Sequence, residues 1–166
     1  FAHLPSPRVA VLIGGSNACY TLTPAIMKRI AGQLVAAVKD SGGSVMVTPS
    51  RRTGTENMAA LMDELQDVPK FVWNGEGENP YFGMLGLADA IIVTPDSVNM
   101  VSDACSTGKP VHVIDVPEAN SKFKRFHLLF FGEGMTRVFQ GKIEHWVYPP
   151  LDDMRVVVER VRKMLI

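Results

Sequence analysis

The stretch from Ala90 to Ile114 constrains this chain more than any other. Ala90-Ile91-Ile92-Val93 is a short apolar run rich in β-branched residues, the mark of a strand buried on both faces. Thr94-Pro95-Asp96-Ser97 is a polar turn. Asp96 or Ser97 can cap a following helix, because a short side-chain oxygen accepts a bond from an N–H of the first turn. Gly108 stops that helix where a left-handed residue is cheapest, Pro110 blocks its continuation, and Val111 to Ile114 reads as the next buried strand. Strand, helix and strand in this order make a parallel crossover, right-handed by the usual rule. It places polar residues at the carboxyl end of a strand and the amino end of a helix, where open α/β sheets bind ligands.

The same alternation runs through the rest of the chain. Arg8 to Ile13, Ser44 to Thr48 and Lys70 to Trp73 read as further strands. A helix opens at the cap Thr23 with Pro24 in its first position, carries Ile26, Ile30, Leu34, Ala37 and Val38 at helical spacing, and stops at Ser41-Gly42-Gly43. A second starts at Thr55 with Met58, Leu61, Met62 and Leu65 on one face, and a short one covers Tyr81 to Leu87. Another is expected near Phe123 to Phe131. A closing helix over Asp152 to Leu165 lines up Met154, Val157, Val158, Val161 and Leu165. Phe139 to Val147 leaves room for a short edge strand. The expectation is an α/β, three-layer, Rossmann-like fold with a parallel sheet in the order 3-2-1-4-5. Its switch point, between strands one and four, brings Gly14 to Asn17 beside Asp96 to Asp103. Residues 1–7, with Leu4-Pro5-Ser6-Pro7, read as an extended linker and residues 8–166 as one domain. The linker-like start and the absence of an initial Met suggest the carboxyl-terminal half of a two-domain protein.

Composition narrows the function classes. Seventeen basic and 17 acidic residues cancel, which argues against non-specific nucleic-acid binding. No apolar run approaches the roughly 18 residues that span a bilayer, and no signal-peptide pattern is present. Cys19 and Cys105 form no C-x-x-C, as expected for thiols in a reducing, cytoplasmic setting. The four histidines show no ligand spacing, so no metal is expected.

The polar residues of the carboxyl edge are the candidates for chemistry. Gly14-Gly15-Ser16-Asn17 lacks both G-x-G-x-x-G and the Walker lysine, which weighs against nicotinamide and P-loop readings. The loop still offers backbone N–H groups near a helix start, an anion site or simply a tight turn. Arg51-Arg52 after strand two can clamp a diphosphate through forked hydrogen bonds, or can be a solvated pair. Trp73 and Tyr81 can flank a planar base, or pack beneath their loop. Asp96, Ser97, Asn99, Ser102 and Asp103 form the richest polar group. Ser97 and Asn99 are within reach of phosphates at the helix start, and Asp103 is placed to accept from a ribose diol or to face solvent.

Gly14-Gly15-Ser16, Ser50-Arg51-Arg52-Thr53, Trp73-Asn74-Gly75-Glu76-Gly77-Glu78-Asn79-Pro80-Tyr81, Thr94 to Ala104 and Thr107-Gly108-Lys109-Pro110-Val111 occur together and in order. In this the chain resembles the mitochondrial-fission, elongated-mitochondria protein family, whose bacterial members are commonly called nucleoside-diphosphate-sugar epimerases. That family is in turn similar to the GT-B glycosyltransferases and the UDP-N-acetylglucosamine 2-epimerases. The resemblance implies a carboxyl-terminal, donor-binding domain that faces a missing amino-terminal domain across a cleft. Its ligand would be a UDP-type nucleoside diphosphate sugar, with no further cofactor required. The implied nucleotide-sugar-binding set is Gly14, Gly15, Ser16, Asn17, Ser50, Arg51, Arg52, Thr53, Trp73, Asn79, Tyr81, Asp96, Ser97, Asn99, Met100, Ser102 and Asp103. Asp103 stands where such enzymes usually carry a ribose-binding glutamate, one methylene longer. The acid or base would come largely from the absent half, so turnover by these residues alone is not expected. Plant members imply an alternative, a non-catalytic recruitment factor that keeps the fold for partner binding.

Overall fold

A computed structural model describes residues 1–118 and 121–164, with residues 153, 154, 156, 157 and 159 described by their backbone alone. The elements follow in the order β1 (Arg8–Ile13), α1 (Pro24–Ser41), β2 (Ser44–Pro49), α2 (Thr55–Glu64), β3 (Lys70–Val72), α3 (Tyr81–Leu87), β4 (Ala90–Val93), α4 (Val98–Ser106), β5 (Val111–Val113), α5 (Lys124–Gly132), β6 (Thr136–Val138) and α6 (Asp153–Met164). All strand pairs are parallel, and the sheet order is β3-β2-β1-β4-β5-β6. The expected five strands are present and in the expected order. The sixth lies at Thr136–Val138, just before the segment 139–147 that left room for an edge strand. Gly134, at φ 69°, ends α5 and turns the chain directly into β6, while Gly141, at φ 77°, breaks the segment that follows.

Alternation along β1 builds two cores. Val9, Val11 and Ile13 pack with Met27, Ile30 and Leu34 of α1 and Leu61 of α2. Ala10 and Leu12 pack on the other face with Met84 of α3, Val101 and Ala104 of α4 and Phe130 of α5. Helix α1 begins as its residues dictate: the Thr23 hydroxyl accepts the Ile26 N–H at 3.3 Å, and Gly42 closes the helix at φ 67°. The first seven residues lie on this body. Leu4 is buried, Phe1 meets the Phe71 ring edge-on, and Pro5 and Pro7 accept bonds from Ser44. In α6, Val158 and Val161 are exposed, while the side chains of Met154 and Val157, and Leu165 as a whole, lie outside the described residues. Among the described residues no helix is long and apolar enough to cross a membrane.

Lys109, part of the Thr107 to Val111 motif, has a structural role. Its ammonium donates to the carbonyls of Leu85 at 2.6 Å and Gly86 at 2.5 Å, satisfying the carboxyl end of α3. After β6 the chain returns along the sheet edge. Trp146 donates to the Gly134 carbonyl at 3.0 Å, Tyr148 to the Lys109 carbonyl at 2.6 Å, and the Leu151 N–H to the Cys105 carbonyl at 3.2 Å. His112 of β5 anchors this strap. Its ring meets Phe139 and Trp146 edge-on, and its Nε2 accepts the Glu144 N–H at 3.3 Å.

That acceptor role requires an unprotonated Nε2, and burial holds the His112 pKa below its ordinary value. The unfolded chain therefore binds the more protons as pH falls below about 6.5, and folding stability falls with it. Urea unfolding at pH 7.5 and 5.5 should show a loss of up to about 1.4 kcal/mol per pH unit for this residue. His112→Gln, which cannot titrate, should flatten the profile. An unchanged slope in that variant would remove His112 from the account.

Candidate functional site

The loops leaving β1 and β4 meet at the switch point, and a carboxylate joins them. Asp96, 6% exposed, accepts the Thr94 hydroxyl on Oδ1 at 2.6 Å. On Oδ2 it accepts the Gly15 N–H at 3.0 Å and the Arg52 guanidinium at 2.9 Å. Thr94 also takes the Gly14 N–H at 2.8 Å, and Asn17 donates to the Asp96 carbonyl at 3.0 Å. The glycine pair is required by this packing. A Cβ on Gly14 would stand 2.1 Å from an Asp96 carboxylate oxygen, and one on Gly15 would stand 2.1 Å from the Arg52 carbonyl. Two backbone donors of the loop that the sequence left as an anion site or a tight turn are thus already satisfied by protein oxygens.

The loop after β2 is fastened to the same corner. The buried Thr53 hydroxyl donates to the Gly14 carbonyl at 2.5 Å and accepts the Ser50 N–H at 3.0 Å. Ser50 also bonds back to the Ile13 carbonyl. Both arginines are exposed, and Arg52 gives one guanidinium N–H to Asp96. The Ser16 hydroxyl bonds the backbone of Leu22.

A second group forms where α3 approaches α4. Asn79 accepts the Tyr81 N–H, which starts α3, and the Tyr81 hydroxyl donates to Asp103 Oδ2 at 3.0 Å. Burial first, then the Asp103 charge, pushes the Tyr81 pKa up, so the hydroxyl stays a donor. Phe82 stands edge-on to Tyr81 and is 76% exposed. Trp73 donates to the Glu76 carbonyl at 3.0 Å and packs partly on the second core. Ser97 caps α4 by accepting the Met100 N–H at 3.4 Å, Asn99 is exposed, and Met100, Ser102 and Asp103 are half-buried. The candidate residues therefore fall into a tightly bonded hub around Asp96 and a separate Tyr81–Asp103 pair.

A groove of about 470 Å³, not anticipated from sequence, opens on the same edge between the end of β5, α5 and β6. Tyr20, Pro95, Ile114, His127, Leu128, Phe131 and Val138 are among its walls. Burial, then Glu118, pushes the Tyr20 hydroxyl up to about 12, and burial lowers the His127 pKa, so both are neutral near pH 7. The available signal was the run Leu128-Leu129-Phe130-Phe131, of which only Phe130 is buried. Among the described residues no group of three or more His, Cys, Asp or Glu side chains is placed to hold a metal ion.

The parallel sheet in this order, with its polar loops at the β1/β4 switch, defines a Rossmann-like α/β domain. The crystal structure of the glycotransferase of kitacinnamycin shares that fold, with a TM-score of 0.51 over 94% of this chain and 35% of that one, at 19% identity. The family model for Mitochondrial fission ELM1 matches residues 1–165, and the chain belongs to that family. Mitochondrial fission protein ELM1 of Arabidopsis thaliana is 37% identical over 169 residues, covering 99% of this chain and 39% of the relative. The uncharacterized protein RP120 of Rickettsia prowazekii is 29% identical over 176 residues, covering 96% of this chain and 48% of the relative. The chain thus spans less than half the length of either relative.

Removing the hub carboxylate should cost more than removing the paired one. Asp96→Ala strands buried donors on Thr94 and Gly15, at about 1–3 kcal/mol for each group left unsatisfied. Asp103→Asn keeps an oxygen for Tyr81 and should cost less than about 1.5 kcal/mol. Denaturant unfolding of the two variants compares them directly, and equal losses would contradict the hub.

Proposed function

We propose that this chain is the nucleoside-diphosphate-sugar-binding domain of a larger sugar-nucleotide protein. The observation that carries the reading is the Tyr81–Asp103 pair at the carboxyl edge, on the helix that follows the switch-point strand. A carboxylate has about four lone-pair sites. The Tyr81 bond therefore orients Asp103 while leaving it capacity for the two hydroxyls of a ribose. Tyr81, Phe82 and Trp73 supply ring faces nearby for a base. The diphosphate falls to Ser97, the opening turn of α4 and Arg51. Arg52, held by one bond to Asp96, keeps further guanidinium N–H donors for the same group. The glycosyltransferase-type fold supports the reading at the level of architecture.

A specific observation favours a second reading. The Gly14 and Gly15 N–H groups and one Arg52 N–H are satisfied within the protein, so the corner keeps its shape without a ligand. The name of the Arabidopsis relative points to mitochondrial fission. Both suit a non-catalytic adaptor that retains the fold to hold partners.

Titration calorimetry separates the two. A single lobe of a cleft should bind UDP or a UDP-sugar in the millimolar to high-micromolar range, about 4 to 6 kcal/mol. Asp103→Asn should weaken UDP roughly tenfold to a hundredfold, the worth of about 1.5 to 3 kcal/mol of hydrogen bonds to a charged group. Pyrophosphate, which has no ribose, should bind unchanged, and Asp103→Glu should keep or tighten UDP. NAD binding more tightly than every sugar nucleotide, or no nucleotide binding at all, would leave the adaptor reading standing.

Arg51→Ala should weaken UDP and pyrophosphate alike, by about 1.5 to 3 kcal/mol, with little change in folding stability because its charge is exposed. Undiminished diphosphate affinity in this variant would return Arg51 to a solvated role.

A further inference from the structure

The groove between β5, α5 and β6 carries features that the nucleotide edge does not use. Leu128 and Phe131 lie three residues apart on α5, hence on one side of the helix, and are 59% and 57% exposed. Val138 faces the groove from β6 and is 50% exposed. Exposing three large apolar side chains around one concavity forfeits burial that folding would otherwise gain, and such patches mark binding sites. The volume of about 470 Å³ lies in the small-molecule range of roughly 300–1,000 Å³.

Charge decides what kind of molecule fits. Asp115 and Glu118 oppose Lys124 and Arg137 among the lining residues, so the charged side chains cancel. The Arg137 guanidinium is held by Glu144 at 3.0 Å and lies over the Trp146 ring at 4.4 Å, so it is not offered to an anion. His127 is fixed by its Nε2 at 2.9 Å from the Pro95 carbonyl, which makes that nitrogen the N–H donor of a neutral ring. With Glu118 hydrogen-bonded to Tyr20 and Arg137 paired with Glu144, Asp115 and Lys124 remain as one acid and one base, so an occupant bearing a net charge would find no net counter-charge, whereas an apolar one would cover Leu128, Phe131 and Val138.

We propose that this groove is a second binding site, for a neutral, largely apolar small molecule such as a long-chain or aromatic alcohol. Its place follows from the loops it shares. Pro95 lines the groove and immediately precedes Asp96 and Ser97, and Tyr20 belongs to the loop that begins at Gly14. The occupant would therefore lie beside the diphosphate end of the nucleotide edge, where an acceptor belongs. As the place of an acceptor the groove rests on the nucleotide-sugar reading; as a binding site it does not.

The test uses the neutral fluorophore N-phenyl-1-naphthylamine, with 1-decanol as competitor. The chain should bind the probe saturably at one site, and decanol should displace it. Leu128→Glu, which places a charge in the groove, should weaken the probe at least tenfold. Leu128→Trp, which fills the groove without adding charge, should do the same. Leu129→Glu, on an equally exposed residue outside the lining, should change it less than twofold. Equal losses at residues 128 and 129, or unsaturable binding, would overturn the site. So would self-association of the chain, seen by sedimentation, that Leu128→Glu abolishes together with probe binding, because the face would then be a contact between copies. UDP titration of the same variants keeps the two readings apart. Probe binding without any UDP binding would refute the acceptor role and retain the site. UDP binding that survives Leu128→Glu while the probe is lost is the result expected if both hold.

Discussion

The buried carboxylate of Asp96 holds the working edge of this molecule in shape. A charge 6% exposed is tolerable only when it is well hydrogen-bonded, and here a hydroxyl, a backbone N–H and a guanidinium donate to it. Each donor comes from a different place: Thr94 from the same loop, Gly15 from the β1 exit and Arg52 from the β2 exit. One side chain thus fixes three loops that the sheet alone would bring near one another without locking. The glycines follow from the carboxylate, since a methyl group on Gly14 would occupy its space.

This arrangement divides the edge into parts with different tolerances. The Asp96 corner is tightly cross-bonded, and the Gly14 and Gly15 N–H groups are spent on the fold. The Tyr81–Asp103 pair is partly open to solvent and makes one bond from a carboxylate that can accept several. The groove under α5 is walled largely by apolar side chains, with acidic and basic residues in equal number around it. A ligand crossing this edge would meet a rigid middle flanked by an adaptable polar side and an adaptable apolar side, which is how a site can orient one end of a molecule while accepting variety at the other.

Much of the architecture was legible because its causes are local. β-Branched runs, Thr23 with Pro24 and the glycine stops at Gly42 and Gly108 specify their elements within a few residues. β6 was misplaced because Thr136-Arg137-Val138 is too short to show a period, and its pairing with Val111 to Val113 is a tertiary event. The site was legible as a set of residues but not as a set of bonds. Asp96 meets partners 81 and 44 positions away, and nothing in the spacing distinguishes it from Asp103. Lys109, one residue of the Thr107 to Val111 motif, closes α3 from more than twenty residues downstream. The groove escaped because the sequence marks a helix near Phe123 to Phe131 without assigning it a buried face, and burial depends on what the rest of the chain leaves uncovered.

The strap after β6 has a mechanical consequence. Its last fixed points, Tyr148 on the Lys109 carbonyl and Leu151 on the Cys105 carbonyl, lie at the carboxyl end of α4 and the corner leading into β5. The chain then enters α6. A torque on α6 is therefore delivered to the rear of the helix whose front carries Ser97 and whose middle carries Asp103. Helices bend little over nine residues, so a displacement of the strap at Leu151 would be carried along α4 toward the polar edge of the sheet.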